Sequence, residues 1–548
     1  MRRYPAPSDS GRLMLIRFLA AAALAALLPR PAGAAAGDGP RPELVIRGAT
    51  MINGAGAPPQ GPVDIVVEDG RITKVVAVGA PGLPIDPDSR PKAEPGAREI
   101  DAHGKYVLPG FINLHGHIHT EETGQGVPPE YIWKLWLAHG ITTVRELGNE
   151  KGAKWTAEMA AKSARNEIIA PRIYPYPVFR GWSAGEVDSP EAARAKIRRL
   201  KAEGARGVKF FGAPEEILWA GLDEAKKQGL KTTMHHAQLD VAHADVLDTS
   251  AHGLGSMEHW YGLPEALFED QTLQRYPADY NYNDEQDRFG EAGKLWTQAA
   301  SPGSERWNYV RDTLLERDFA VIPTFSIYVA SRDWMRSRRA DWHDDYTMPS
   351  LWKFFAPDRN AHGSYWFDWG TEEEAAWRDN YRRWMAFVND YKNHGGLVGV
   401  GEDAGYIYST YGFGYVTELE MLREAGFSSL EVIKAATLDG AKILGAEGEI
   451  GSIQVGKRAD LVILGENPLA NLKVLYATGH IRLDPETNKP KRVGGVETVI
   501  KDGVVYDAKA LAAEVRAMVA NEKERSGIAS GPMPIVDFTY EPKKDQSP

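Results

Sequence analysis

The chain of 548 residues contains no cysteine. It therefore has no disulfide framework, no thiolate metal ligand, no cysteine nucleophile and no cysteine that a lipid could modify. The apolar run at residues 18–28 is only eleven residues long, which is too short to span a bilayer. Runs of Lys and Arg are missing beyond the N-terminus, and the net charge is −11. This charge pattern argues against nucleic acid as a partner.

The first residues have the features of an export signal. Arg2, Arg3, Arg12 and Arg17 precede or border the apolar run, and the small-residue pattern Ala-Gly-Ala follows at residues 32–34. We therefore expect a signal peptide over residues 1–34, a periplasmic or secreted protein and no membrane attachment after cleavage. A buried N-terminal helix and a membrane anchor are the alternatives.

The rest of the chain divides into three regions by its pattern of strands and helices. Short strands with Gly, Pro and Asp turns occupy residues 35–105 and return at 449–508. Because both segments have the same turn chemistry, we predict that they pair into one small composite β-sandwich domain. Residues 106–448 alternate strand-like and helical stretches, as βα units do. Residues 509–548 are predicted to form a C-terminal helix and an extended tail.

The middle region fits an α/β fold, a (β/α)8 TIM-like barrel. Eight strands are predicted at residues 107–114, 141–147, 171–179, 207–212, 231–237, 254–260, 319–328 and 397–403. About 58 residues separate the sixth and seventh strands, and about 68 separate the seventh and eighth. Because loops at the carboxyl ends of barrel strands form the substrate pocket, these two insertions are expected to cover it.

Metal-ligand residues follow several of these strands. His115 and His117 are spaced by two, so both side chains project from one side of the first strand and can reach one ion. The later strands bring four more candidate residues to the same rim: Lys209, His235, His259 and Asp403. A single histidine at a strand end is usually structural, but this convergence predicts a metal centre.

Lys209 lies in an apolar strand, where a charged ammonium is costly. Burial lowers the pKa of a lysine and makes a neutral amine available, which can take up carbon dioxide to form a carbamate. The alternative is an unmodified lysine that pairs with Glu146 or Asp403.

These motifs resemble the amidohydrolase superfamily, most closely its imidazolonepropionase-like branch, which includes metal-dependent prolidases. The resemblance covers nearly the whole chain after residue 34. It is carried by PGFINLHGH (109–117), GITTVRELGN (140–149), GVKFFG (207–212), MHHA (234–237), SMEHW (256–260), GEDAG (401–405), TELEMLREAGFSSLEVIKAATLDGAKILG (417–445) and GEIGSIQVGKRADLVILGENPL (448–469).

The resemblance implies a centre with two divalent metal ions, for which zinc fits the imidazole and carboxylate ligands. It assigns His115, His117 and Asp403 to one ion and His235 and His259 to the other, with carboxylated Lys209 bridging both. A hydroxide between the ions would be the nucleophile, and Asp403 would be the catalytic proton acceptor.

Some positions depart from the family pattern or lie beside it. The family usually has Asp where Asn113 stands, and often has His where Thr417 stands. His236 must point to the opposite side of the strand from His235. Substrate-binding candidates are Arg180, Tyr328, Tyr406 and His119.

The predicted function is metal-dependent cleavage of amide C–N bonds in small substrates such as N-acyl amino acids or dipeptides. One alternative is a mononuclear deaminase or cyclohydrolase, but deaminases of this fold typically have a glutamate where Gln238 stands. An organophosphate or lactone hydrolase and a non-catalytic binding protein are further alternatives. The expected partner is a small-molecule substrate, and a homo-oligomer is possible.

Overall fold

The computed structural model describes residues 37–180, 187–356, 362–363, 365–366 and 368–529. The predicted signal peptide and the extended C-terminal tail lie outside the described residues. No helix within the described ranges is long and apolar enough to cross a membrane.

Strands fall into a composite sheet, a parallel barrel and a two-stranded ribbon. In chain order they are β1 Glu43–Met51, β2 Gln60–Glu68, β3 Arg71–Ala77, β4 Arg98–Asp101, β5 Tyr106–Pro109, β6 Phe111–Gly116, β7 Ile141–Glu146, β8 Arg172–Pro175, β9 Gly207–Phe210, β10 Lys231–Met234, β11 Ser256–Glu258, β12 Ala320–Ile322, β13 Leu397–Val398, β14 Leu461–Leu464, β15 His480–Leu483, β16 Pro490–Val493, β17 Thr498–Lys501 and β18 Val504–Asp507.

The helices surround these sheets and form most of the insertions. They are α1 Pro129–Ala138, α2 Gly152–Ala164, α3 Pro190–Ala202, α4 Glu215–Lys227, α5 Val246–Ala251, α6 Leu263–Ala266, α7 Glu285–Ala292, α8 Glu305–Glu316, α9 Val329–Arg338, α10 His343–Tyr346, α11 Pro349–Phe354, α12 Thr371–Asn393, α13 Phe413–Glu424, α14 Ser429–Lys434, α15 Gly440–Leu444 and α16 Ala508–Arg525.

The two ends of the chain form one eight-stranded sheet. Its order is β18-β17-β14-β5-β1-β2-β3, with β4 paired to β1. The backbone of Ile72 in β3 bonds with Gly456 and Lys457, which precede β14, so the sheet folds back on itself. Apolar side chains such as Ile46, Ile65 and Leu461 fill the space that it encloses.

Eight parallel strands, β6 to β13, form the barrel. Strands β6-β7-β8 make one ladder and β9-β10-β11-β12-β13 another. The Lys209 backbone joins the two ladders by bonds with Pro177 and Phe179, and Leu114 and Val400 bond where β6 meets the segment after β13. The barrel therefore closes, as the sequence predicts.

One predicted barrel strand is in fact two strands. The sequence pattern predicts a single strand over residues 107–114, but β5 and β6 are separated at Gly110. A Cβ at this position would lie 2.1 Å from Thr142 Oγ1, so only glycine fits here. Strand β5 pairs with β14 in the composite sheet, whereas β6 opens the barrel. Gly110 thus lies where the chain passes from the composite sheet to the barrel, five residues before His115.

Candidate metal centre

The carboxyl ends of the barrel strands bring the six predicted ligands to one rim. Two of these residues lie within strands, His115 in β6 and Lys209 in β9. Three more, His117, His235 and His259, come directly after the ends of β6, β10 and β11. Asp403 follows β13 after a short turn. All six side chains line one cavity.

His115, His117 and Asp403 form the tightest group. The Nε2 atoms of the two histidines lie 3.2 Å apart. Each of them lies 3.2 Å from Oδ1 of Asp403. Three ligand atoms so close together, two imidazole nitrogens and a carboxylate oxygen, match the donor set of a divalent transition metal.

The second oxygen of Asp403 faces another histidine. Oδ2 lies 3.7 Å from Nε2 of His259. The His259 ring meets the ring of His235 edge to face, with centroids 4.5 Å apart. Asp403 therefore lies between His115 and His117 on one oxygen and His259 on the other, and His235 packs against His259.

The backbone at two of these positions is strained. His259 has a φ of 61° and Asp403 a φ of 48°, in the left-handed region. A non-glycine residue there costs about 1–3 kcal/mol, and such strain often marks functional sites. The hydrogen bond from the Asp403 N–H to the carbonyl of His115, at 3.0 Å, holds one of the two positions.

Neighbouring groups orient two of the imidazoles. Nδ1 of His259 lies 2.6 Å from the hydroxyl of Thr324, and Nδ1 of His117 lies 3.3 Å from the Gly148 carbonyl. These bonds leave Nε2 of each ring directed to Asp403. Asn113 accepts the His115 N–H at 3.1 Å and donates to Glu402 at 3.0 Å, so it fixes the segment before Asp403.

The protonation states of most predicted ligands suit metal binding. His117 is the exception, since burial lowers its pKa but Asp403 outweighs burial and raises the pKa above its ordinary value. Burial lowers the pKa of His115 to about 4 and lowers those of His235 and His259 well below the ordinary value. Burial alone would raise the pKa of Asp403, but His115 and its neighbours hold it well below the ordinary range. Neutral imidazoles and an ionised carboxylate are the forms that bind a cation.

Lys209 has a partner that the sequence pattern did not reveal. Its Nζ lies 2.6 Å from Oε2 of Glu258, and Arg145 reaches Oε1 of the same carboxylate at 3.0 Å. The expected alternative pairing of Lys209 with Glu146 or Asp403 is wrong. Burial lowers the pKa of Lys209, although Glu258 opposes this. The sequence did contain a signal for this pairing. Glu258 is the one charged residue of strand β11 and directly precedes His259.

The cavity beside the ligands measures about 400 Å³, within the range of small-molecule sites. Of the predicted substrate residues, Tyr328 and Tyr406 line it. His119 lies behind Tyr406, with its Nε2 3.3 Å from the Tyr406 hydroxyl and its other nitrogen bonded to Tyr411. Arg180 bonds to the Gly212 carbonyl at 3.4 Å and is not among the lining residues.

Both insertions reach the cavity and supply residues that the sequence did not single out. From the segment between β11 and β12 come Tyr261, Tyr282, Glu285, Arg288 and Phe289, and from the segment between β12 and β13 comes His362. The expectation that the insertions cover the pocket agrees with these positions. The sequence pattern did not indicate which side chains of the insertions would reach the cavity, because their positions depend on packing between residues that are distant in sequence.

Part of the chain matches the model of a known protein family. The model of the amidohydrolase family matches residues 382–506. The dihydroorotase of Anaeromyxobacter dehalogenans (strain 2CP-C) is 27% identical over 217 residues, which are 38% of this chain and 45% of that protein. The adenine deaminase of Paracoccus denitrificans (strain Pd 1222) is 31% identical over 138 residues, which are 24% of this chain and 21% of that protein. The chain thus matches less than half the length of these curated relatives.

Solved structures agree with the fold along most of the chain. A bottromycin amidohydrolase superposes with a TM-score of 0.58 at 19% identity, covering 96% of this chain and 98% of that chain. A putative prolidase from Bifidobacterium longum gives a TM-score of 0.55 at 21% identity, covering 86% of this chain and 98% of that chain.

The fold and the site define an α/β-barrel protein with ligands for divalent metal at the mouth of the barrel. The match of residues 382–506 to the amidohydrolase family and the fold shared with solved amidohydrolases agree with the family that the motifs resemble.

Proposed function

We propose that the protein is a metal-dependent hydrolase that cleaves amide C–N bonds of small substrates such as N-acyl amino acids or dipeptides. The observation that carries this proposal is the position of Asp403 between His115 and His117 on one oxygen and His259 on the other. This arrangement lies at the base of a cavity large enough for such substrates.

His115, His117 and Asp403 would hold one divalent ion, and His235 and His259 a second, with zinc preferred by the ligand types. Bound ions of this kind supply Lewis-acid activation of water and of the scissile carbonyl. The neighbouring histidines hold the pKa of Asp403 well below its ordinary range, and its carboxylate oxygens lie 3.2 Å from His117 and 3.7 Å from His259. Asp403 would take a proton from the attacking water at one carboxylate oxygen and pass it to the leaving amine.

Lys209 would join the two ligand sets as a carbamate. Its amine is buried in the cavity wall, and burial favours the neutral form that reacts with carbon dioxide. The carbamate would be anionic, so the present contact with Glu258 must open when it forms. Arg145 remains as the charge partner of Glu258 in that state.

Deamination is the main competing chemistry, because adenine deaminases are among the curated relatives. Gln238 lines the cavity at the position where such enzymes typically carry a titratable glutamate. An amide side chain cannot accept and release a proton. The cavity therefore favours amide hydrolysis.

The test is a kinetic screen of purified protein whose metal content has been measured. We expect two divalent ions per chain and turnover of N-acyl amino acids or dipeptides that is lost on chelation and restored by Zn²⁺. Adenine, dihydroorotate and lactones serve as competing substrates in the same screen. Release of ammonia from adenine without amide hydrolysis would contradict the proposal, and one ion in fully active protein would contradict the two-ion centre.

A further inference from the structure

The outer wall of the cavity carries charged residues from the insertion between β11 and β12. Glu285 and Arg288 lie on α7, one turn apart, and both line the cavity. His362 reaches the same wall from the next insertion. Arg288 is the one arginine among the lining residues in the described part of the chain.

Each oxygen of Glu285 already has a partner. Its Oε1 accepts from Arg288 at 2.5 Å, and its Oε2 lies 2.9 Å from Nδ1 of His362. The guanidinium of Arg288 has five N–H donors and has one carboxylate partner in the described chain. The rings of Tyr282 and Phe289 lie 5.2 and 4.9 Å from it and restrict its orientation. Arg288 therefore retains N–H donors for a further acceptor in the cavity.

Two further polar groups of the cavity have no partner in the described chain. The hydroxyl of Tyr261 and Nε2 of Gln238 are buried and unbonded, and the two residues are 4% and 6% exposed. A buried polar group without a partner is costly, and its presence in a cavity points to a ligand. Tyr261 and Gln238 line the same cavity as Arg288.

We infer that Arg288 and Tyr261 form the subsite for a free carboxylate of the substrate, with Gln238 as a further donor. A carboxylate is the group that matches a planar guanidinium fork and a phenol hydroxyl. The rings of Phe211, Tyr282 and Phe289 beside it would pack against an apolar or aromatic side chain. The inference rests on the proposed function, because it selects acyl amino acids and peptides with a free apolar C-terminal residue from the amide substrates.

The test measures binding without turnover. Calorimetry on the metal-loaded protein compares 3-phenylpropanoate with 3-phenylpropan-1-ol, which has a similar shape but no charge. We expect the carboxylate to bind at least ~10-fold more tightly, since hydrogen bonds to charged groups have that strength. Arg288→Met should abolish this preference, and Tyr261→Phe should reduce it by roughly 3-fold to 10-fold.

Matched variants separate the subsite from a general effect of surface charge. Arg275→Met removes an exposed arginine of the same insertion, 73% exposed, and should leave the preference unchanged. Glu285→Gln should tighten carboxylate binding, because it removes the competing anion from Arg288. If Arg288→Met is unfolded, Arg288→Lys keeps the charge without the fork and should retain only part of the preference.

The results that would contradict the subsite differ from the result that would contradict the proposed function. An unchanged preference in a folded Arg288→Met protein would overturn the subsite, since the carboxylate would then bind the metal ions directly. An equal loss in Arg275→Met would also overturn it, because the preference would then come from surface charge in general. Absence of amide hydrolysis together with a carboxylate preference that depends on Arg288 would overturn the proposed function and leave the subsite standing.

Discussion

The ammonium of Lys209 lies 2.6 Å from the carboxylate of Glu258, and the two side chains are 1% and 0% exposed. Arg145 contacts the other oxygen of Glu258 from strand β7, across the barrel interior, and is equally buried. A buried charge without its partner is strongly destabilising. This cluster therefore holds together the wall beneath the predicted metal centre.

In the metal-free protein, where Lys209 is an unmodified ammonium, Glu258→Gln should lower the free energy of unfolding by roughly 3–5 kcal/mol, since it leaves two buried cations with a neutral partner. Urea denaturation followed by circular dichroism measures the change. Glu158→Gln is the matched control, because Glu158 forms an exposed pair with Lys162, and such pairs contribute about 0.2–1 kcal/mol. Equal stabilities of the two variants would mean that Glu258 is not the charge partner of the cluster.

Lys209 variants separate its charge from its proposed carbamate. Lys209→Ala should lose metal and activity, and short carboxylic acids with bicarbonate should partly restore both. Lys209→Arg should keep most of the stability, because a guanidinium can still pair with Glu258, but it cannot be carboxylated and should not be rescued. Elemental analysis and denaturation curves measure the two effects. Full metal content in Lys209→Ala would show that the lysine is not a ligand.

Asp403→Asn tests the proton acceptor. The amide keeps the shape and one oxygen ligand but cannot take up a proton. We expect near-normal folding, modestly weaker metal binding and a loss of turnover of at least about 100-fold, as for removal of a general base. The pH profile of turnover should also lose its acidic limb. Normal turnover with both metals bound would place the proton acceptor elsewhere.

Glu418 makes stability depend on pH. This carboxyl in α13 accepts the Ser326 N–H at 2.6 Å, and its other oxygen has no partner within the described residues. Burial raises the pKa of Glu418 to about 8, above the value of about 4.3 in an unfolded chain. The folded state therefore binds the extra proton between these values, so stability falls as pH rises through this window.

Glu418→Gln should flatten this dependence and make the protein more stable than wild type near pH 8. The slope that it removes approaches about 1.4 kcal/mol per pH unit at most. Denaturation midpoints from pH 5 to pH 8.5 measure it. Glu424→Gln on the same helix, where the glutamate is 44% exposed, should leave the slope unchanged. An unchanged slope in Glu418→Gln would show that the carboxyl is already ionised at neutral pH.

The sequence by itself determined the architecture and the predicted ligands. His115, His117, Lys209, His235, His259 and Asp403 all lie in or just after barrel strands. They were recognisable because parallel strands present their carboxyl ends on one rim. His236 was also placed correctly, since successive strand residues face opposite sides, and it bonds to Thr249 at 2.9 Å.

Only the tertiary structure decided which groups meet these ligands. Glu258 is adjacent to His259 in sequence, but its pairing with Lys209 and Arg145 follows from the order of strands around the barrel. Arg288 carries no local signal at all, because helix α7 reaches the cavity only through the packing of a long insertion. Strand periodicity is a local property, whereas the approach of an insertion to a site depends on contacts distant in sequence. For this reason the sequence pattern offers Arg180, after a predicted strand, as one of several substrate-binding candidates, yet among the described residues Arg288 is the arginine that lines the cavity.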